Sequence, residues 1–202
     1  MDAIFKLIPA IAAVMLFVSL SLIIIILVTR YELRRKEAKS GPVYVLINGK
    51  PVWLDLENLK DDELAKRDYE GNYESGNGEH HFTFDHAQLA AKKQGKWPLT
   101  REECEFIACL PRGWDDDKKG MWFTFDRVEG GTVDVFFPAA GYRLTTSGAF
   151  YGTGSVGQPW SSAVTGANGF RMAFSSTSVN PTDDNNLAYG FSVRCVRDLQ
   201  DN

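Results

Sequence analysis

The sequence predicts an α+β domain over residues 43–202, carried behind one N-terminal transmembrane helix. Three observations predict it. Leu7 to Val28 carries no charged residue. Two capped helical patterns lie between residues 85 and 110, ahead of the main run of strand patterns. No period repeats along the chain. Helices first and strands later indicate α+β, whereas strict alternation would indicate a parallel βαβ array.

Residues 1–29 read as the anchor. A helix over Leu7–Val28 spans roughly 33 Å, enough for a bilayer core of about 30 Å. A cleaved signal peptide is the alternative, but its apolar region is usually only about 7–15 residues long. Here the run passes through Ile23-Ile24-Ile25-Ile26 straight into charge, and no small-residue cleavage site follows. Residues 30–42 form a charged juxtamembrane linker ending at Gly41-Pro42.

Val43–Ile47 is a strand pattern, Asn48-Gly49 a strong hairpin turn signal, and Pro51–Leu54 the returning strand. Asp61 to His81 reads as a helical turn plus an exposed loop. Asp85 is placed to cap a helix, with Gln88 three residues on, Leu89-Ala90-Ala91 inside it and Gly95 past its end. Thr100 caps a second helix. Glu103 completes its capping box, Phe106, Ile107 and Leu110 form its apolar face, and Pro111 stops it. Asp115 to Lys119 is a surface turn. Met121–Phe125, Thr132–Phe137, Phe170–Phe174 and Tyr189–Val196 are strand patterns, the first two joined by a turn at Glu129-Gly130-Gly131.

Composition narrows function. Of the 202 residues, 44% are hydrophobic and 24% charged, with a net charge of −4. That is a globular composition without the basic footprint that nucleic acid requires. Three cysteines are too few for a disulfide-built scaffold.

One segment departs from this average. Between Leu144 and Thr182 the only charged residue is Arg171, and no lysine follows Lys119. Gly, Ser, Thr and Ala dominate, punctuated by Phe150, Trp160, Phe170, Met172 and Phe174. It reads as a long loop pinned to a core by its aromatics. Loops of that length are usually functional or disordered. Small polar residues with Tyr and Asn suit a binding surface, because they give adaptable hydrogen bonds and rigid contact area. The plain alternative is a Gly/Ser-rich loop with no ligand.

Five spaced motifs carry a resemblance. In order they are Phe137-Pro138-Ala139-Ala140-Gly141-Tyr142-Arg143, Gly154-Ser155-Val156-Gly157, Trp160-Ser161-Ser162, Val179-Asn180-Pro181 and Gly190-Phe191-Ser192-Val193-Arg194-Cys195-Val196. Over residues 80–198 the chain resembles the FISUMP family, the major paralogous domain of bacterial surface proteins. The pattern is also similar to the variable proteins of diversity-generating retroelements, whose target domain is C-type-lectin-like. The resemblance implies that fold, a constant scaffold and a sequence-diversified ligand face. Matched onto this chain, the scaffold is Gly141, Phe150, Gly154, Gly157, Trp160, Ser161, Met172, Phe174 and Gly190. The implied ligand-binding set is Thr145, Thr146, Ala149, Tyr151, Ser155, Gln158, Pro159, Arg171, Ala173, Leu187, Ala188 and Tyr189. Alternation agrees for two of them: Arg171 and Ala173 should face away from the core that holds Met172 and Phe174. Two motifs depart from the family. Pro98-Leu99-Thr100 stands for its Leu-Pro-Thr, and Leu110-Pro111-Arg112-Gly113-Trp114 for its Cys-Pro-x-Gly-Trp. Cys109 then falls one place early for the disulfide that the resemblance implies with Cys195.

Other chemistry is weaker. Asn180 to Asn186 concentrates oxygen ligands, with Asp183, Asp184 and Asn185 as candidates for calcium. Its spacing is not that of an EF-hand, and such clusters are ordinary turn formers. No other cofactor is expected. Glu79-His80-His81 with His86 reads as solvated surface rather than a zinc site. Cys104 and Cys109, about 140° apart around a helix, form no chelate. Neither a Gly-x-Ser-x-Gly elbow nor a phosphate-binding Gly-Lys-Ser/Thr occurs, so the chain is not read as an enzyme.

The expected function is that of a membrane-anchored binding protein, adhesin-like, recognising a protein or glycan on another cell or particle through residues 144–189. The alternatives are a structural component of a surface appendage or phage particle, and a calcium-dependent lectin. Arg30, Arg34, Arg35, Lys36 and Lys39 outnumber Lys6, which by itself favours a cytoplasmic domain. Long domains translocate despite such charges, and a receptor needs the outward orientation, so extracytoplasmic display is expected.

Overall fold

Val43–Ile47 (β1) and Lys50–Leu54 (β2) pair antiparallel, with Ile47 opposite Lys50. The turn works because Asn48 and Gly49 both adopt positive φ, 52° and 74°. That is the twist a two-residue hairpin requires. The computed structural model describes residues 41–68, 78–145 and 147–197. The apolar run 7–28 and nearly all of the charged linker lie outside them. Among the described residues no helix is long and apolar enough to cross a membrane.

Asp62–Asp68 forms helix α1 and Phe84–Lys93 helix α2. The cap of α2 is Thr83, not Asp85, which sits inside the first turn. Phe84 sets this start: it is buried against Trp160, ring centres 5.5 Å apart, and its N–H donates to Leu187 O. Asp85 still favours the positive helix end. Gly95, at φ 65°, ends α2 as expected, with Gly95 N–H on Lys92 O and Lys96 N–H on Ala91 O. After Trp97–Pro98 (β3), Arg101–Cys109 forms α3. Its capping box is complete: Glu103 N–H donates to Thr100 Oγ1 and Thr100 N–H to Glu103 Oε2.

Arg112–Asp115 (β4), Gly120–Asp126 (β5) and Thr132–Pro138 (β6) make an antiparallel sheet in that order. Within the segment expected as a long pinned loop, Phe170–Phe174 is strand as expected, and much of the rest is strand too. Tyr142–Arg143 (β7) pairs with Phe150–Tyr151 (β8). Trp160–Thr165 (β10), Asn168–Ser175 (β11) and Val179–Asn186 (β12) form a second antiparallel sheet, and Val156–Gly157 (β9) joins β11. Small residues allow this closeness. A Cβ on Gly157 would come within 2.0 Å of the Phe174 ring.

The expected strand over Tyr189–Val196 is a strand only from Cys195 to Arg197 (β13). Upstream, Gly190, Phe191 and Val193 each bridge a different partner: Arg143, Phe82 and Trp160. β13 pairs antiparallel with β2 and β3, so the last described strand joins the sheet of the β1–β2 hairpin.

Two cores result. One holds Val45, Leu54, Ile107, Phe123, Phe137, Met172 and Phe174 among others. The second holds Leu64, Phe82, Ala87, Trp160, Phe191 and Val193 among others. Arg194, fully buried, donates to Asn58 Oδ1, Asp55 O and Phe136 O. Those acceptors make a buried cation tenable, although burial pulls its pKa down to about 10. The described residues thus form an α+β domain, richer in strand than the sequence predicts.

Candidate ligand-binding face

The β7–β8 hairpin sets Tyr142 directly opposite Tyr151. Their rings stack with centres 5.9 Å apart at 25°. Arg143 N–H donates to Gly190 O and Gly190 N–H to Arg143 O, which fastens the Tyr189–Phe191 stretch beside β7. Tyr142 therefore also lies 6.3 Å from Tyr189 and 6.0 Å from Phe191, ring centre to ring centre. Tyr189 and Phe191 stack at 15°. The result is a continuous row of rings from Tyr151, 49% exposed, down to Phe191, fully buried.

The base of the row is rigid. Phe191 packs edge-on against Trp160 at 4.5 Å, and Trp160 Nε1–H donates to Phe82 O. Arg171 stacks on Phe191, its guanidinium carbon 4.6 Å from the ring centre, and Nη2 pairs with Asp183 Oδ2 at 2.8 Å. Burial lowers the Arg171 pKa, while Asp183, Asp184, Tyr142 and Tyr189 oppose that shift. Among the described residues, Nε and Nη1 of Arg171 make no hydrogen bond.

The expected ligand residues fall into groups. Thr145 is exposed and Ala149 half-buried in the hairpin loop, closed by Leu144 N–H on Ala149 O. Thr146 lies outside the described residues. Ser155 is exposed at a turn where its N–H and hydroxyl both reach Gly152 O. Leu187 is half-buried on the second core and Ala188 exposed, in the turn leading to half-buried Tyr189. Gln158 and Ala173 are half-buried toward the far end of β11.

Two of the set are corrected. Pro159 is buried, its carbonyl taken by Met172 N–H. Arg171 is 7% exposed and faces no solvent. Alternation does turn it away from Met172 and Phe174, but β11 runs between two cores, and its other side meets Phe191. Tyr142, at the centre of the row, is missing from the expected set. Its signal was the hairpin closing through the loop that contains Gly148, which pairs two tyrosines nine positions apart.

The metal readings change. Asp183, Asp184 and Asn185 lie on strand β12, not on a loop, so successive side chains point to opposite faces. Asp183 is engaged by Arg171, and Asp184 accepts from Asn168 Nδ2. Among the described residues no group of three or more His, Cys, Asp or Glu is placed to hold a metal. His80 and His81 are buried rather than solvated. His81 bridges backbone, with Nδ1 3.2 Å from Glu79 O and Nε2 3.1 Å from Ala140 O. All three cysteines are free: Cys104 and Cys195 are buried, in different cores, and Cys109 is exposed.

Comparison with protein-family models, with curated proteins and with solved structures found no match. The feature of the described residues that bears most on function is the ring row itself. It is a neutral aromatic surface on a buried cation–aromatic base, and it suits recognition through contact and hydrogen bonding at the tyrosine hydroxyls.

Proposed function

We propose that the chain is a membrane-anchored binding protein, anchored by residues 7–28 and displaying a C-type-lectin-like domain of the FISUMP kind outside the cell. It recognises a protein or glycan through the face built on Tyr142, Tyr151 and Tyr189. The observation that carries this reading is the stacked row of rings with Tyr151 at its open end. Large aromatic side chains give contact area at little entropic cost, and they dominate binding interfaces. Arg171 serves in this reading as a positioning residue, holding Phe191 and β12 beneath the row.

The exposed hairpin loop, the Ser155 turn and the Ala188 turn surround the row. They are the positions at which a diversified receptor would vary. Sequencing the flanking DNA tests that part: a near-copy of the codons for residues 142–195, differing at adenines and beside a reverse transcriptase gene, is expected. Without a copy, the diversification reading falls while ligand binding stands.

Ligand binding itself is tested with the full chain in detergent, on a glycan array and in a cell-binding screen. Capture of a glycan or of cells is expected. A clean negative in both, with one fixed partner co-purifying, would replace this reading with that of an assembly component.

A further inference from the structure

Away from the tyrosine row, the β4–β5–β6 sheet has an inner face and an outer one. Phe123, Phe125, Val135 and Phe137 are buried inward. Alternation therefore turns Trp122, Thr124 and Asp134 outward. Together with Gly113 they line an open groove of about 380 Å³. That volume is at the lower end of the range of about 300–1,000 Å³ common for small-ligand sites.

Gly113 is the informative residue. It sits directly opposite Trp122 in the β4–β5 register. Its φ is not left-handed, and a Cβ built on it would meet nothing within 4 Å. Neither a turn nor close packing calls for glycine there. Its missing side chain leaves bare backbone beside the indole.

The indole is held in place. Trp122 Nε1–H donates to Asp115 Oδ2 at 3.0 Å, and Phe136 packs on the ring with centres 4.9 Å apart. Lys118 Nζ reaches the ring at 4.6 Å from the Asp115–Lys119 turn, at the Gly120 end of β5. Thr124 and its cross-strand partner Asp134 lie toward the other end. Thr124 Oγ1–H donates to Asp134 Oδ1 at 2.6 Å, and Asp134 is exposed.

We propose that this groove is a second binding site, one that takes a pyranose ring of a mono- or disaccharide. The half-buried indole offers its remaining apolar surface to the C–H groups of the sugar, with the Lys118 ammonium beside it as a donor to ring oxygens. The Asp134 carboxylate accepts hydrogen bonds from ring hydroxyls, and the Thr124 oxygen accepts another. The bare Gly113 backbone leaves room for the ring's edge. The site is independent of the tyrosine row.

Saturation-transfer NMR on the full chain, probed with the methyl glycosides of glucose, galactose, mannose and N-acetylglucosamine, tests it. At least one glycoside should receive transfer at its ring C–H protons. In a Tyr151→Ala background, which removes any share of the signal from the tyrosine row, transfer should fall at least fivefold on adding Trp122→Ala or Gly113→Leu, and fall on adding Asp134→Asn. Gly113→Leu fills open space and therefore folds, so it decides the matter if Trp122→Ala does not fold. The proposal is overturned if no glycoside shows transfer in the Tyr151→Ala background, or if transfer there survives Gly113→Leu.

Discussion

The guanidinium of Arg171 lies 4.6 Å above the Phe191 ring, although β11 and the 189–191 stretch share no backbone ladder. Through Nη2 the same group holds Asp183 on β12. One side chain thus ties a sheet to the base of the tyrosine row.

Removing one partner of this pair should cost more than removing both. Asp183→Ala leaves a cation whose side chain is only 9% exposed without its carboxylate. Loss of about 2 kcal/mol is expected, at the low end for buried pairs because Asp183 is itself 35% exposed. The double change Arg171→Met with Asp183→Ala should recover more than half of it. Urea unfolding of the four proteins in the cycle measures this. A double variant worse than Asp183→Ala would show that the cation itself stabilises the fold.

How much of this was legible in the sequence follows from where each residue's partners lie. Asn48-Gly49, Thr100 with Glu103, and Gly95 act through neighbours a few residues away, and all three appear as read. Arg171 did not. Alternation gave its side correctly, but a local pattern cannot say whether that side meets water or a second core. Outside Phe170–Phe174, the segment 144–182 reads as loop because its Gly and Ser carry little strand signal. Its ladders come from pairing with distant segments, such as Phe174 with Gly157 and Val179. His80 and His81 failed in the same way: a polar doublet is buried because backbone carbonyls and ring contacts await it.

His81 makes stability depend on pH. Burial chiefly, and nearby Arg143, lower its pKa to about 4, against the Glu79 and Ala140 carbonyls that favour the charged ring. The unfolded chain, near 6.5, binds the proton first as pH falls. Stability is therefore fully present above about pH 6.5 and is lost as pH drops toward 4, by about 3 kcal/mol in all. His81→Asn should flatten the pH dependence in that window. Chemical unfolding at pH 7, 5.5 and 4 measures it, and an equal slope in the variant would remove His81 from the account.

The thiols should react unequally. Burial pushes the Cys104 thiol far up and Cys195 to about 12, so neither supplies thiolate at neutral pH. Cys109 is exposed. Native protein should take up maleimide at Cys109 alone, and reductant should leave Tm unchanged. On intact cells an impermeant maleimide should label Cys109 if the domain faces outward; labelling only after lysis would place it in the cytoplasm.

The central claim is that the tyrosine row binds ligand, and Tyr151→Ala tests it most directly. Tyr151 is the most exposed ring of the row, whereas Tyr189 leans on Phe191. The measurement is capture of the screen's glycan or cells by wild type, Tyr151→Phe and Tyr151→Ala, with Tm recorded for each. The account predicts at least tenfold weaker capture by Tyr151→Ala at an unchanged Tm, with Tyr151→Phe in between. Full capture by Tyr151→Ala, or a loss that comes only with a fall in Tm, would contradict it.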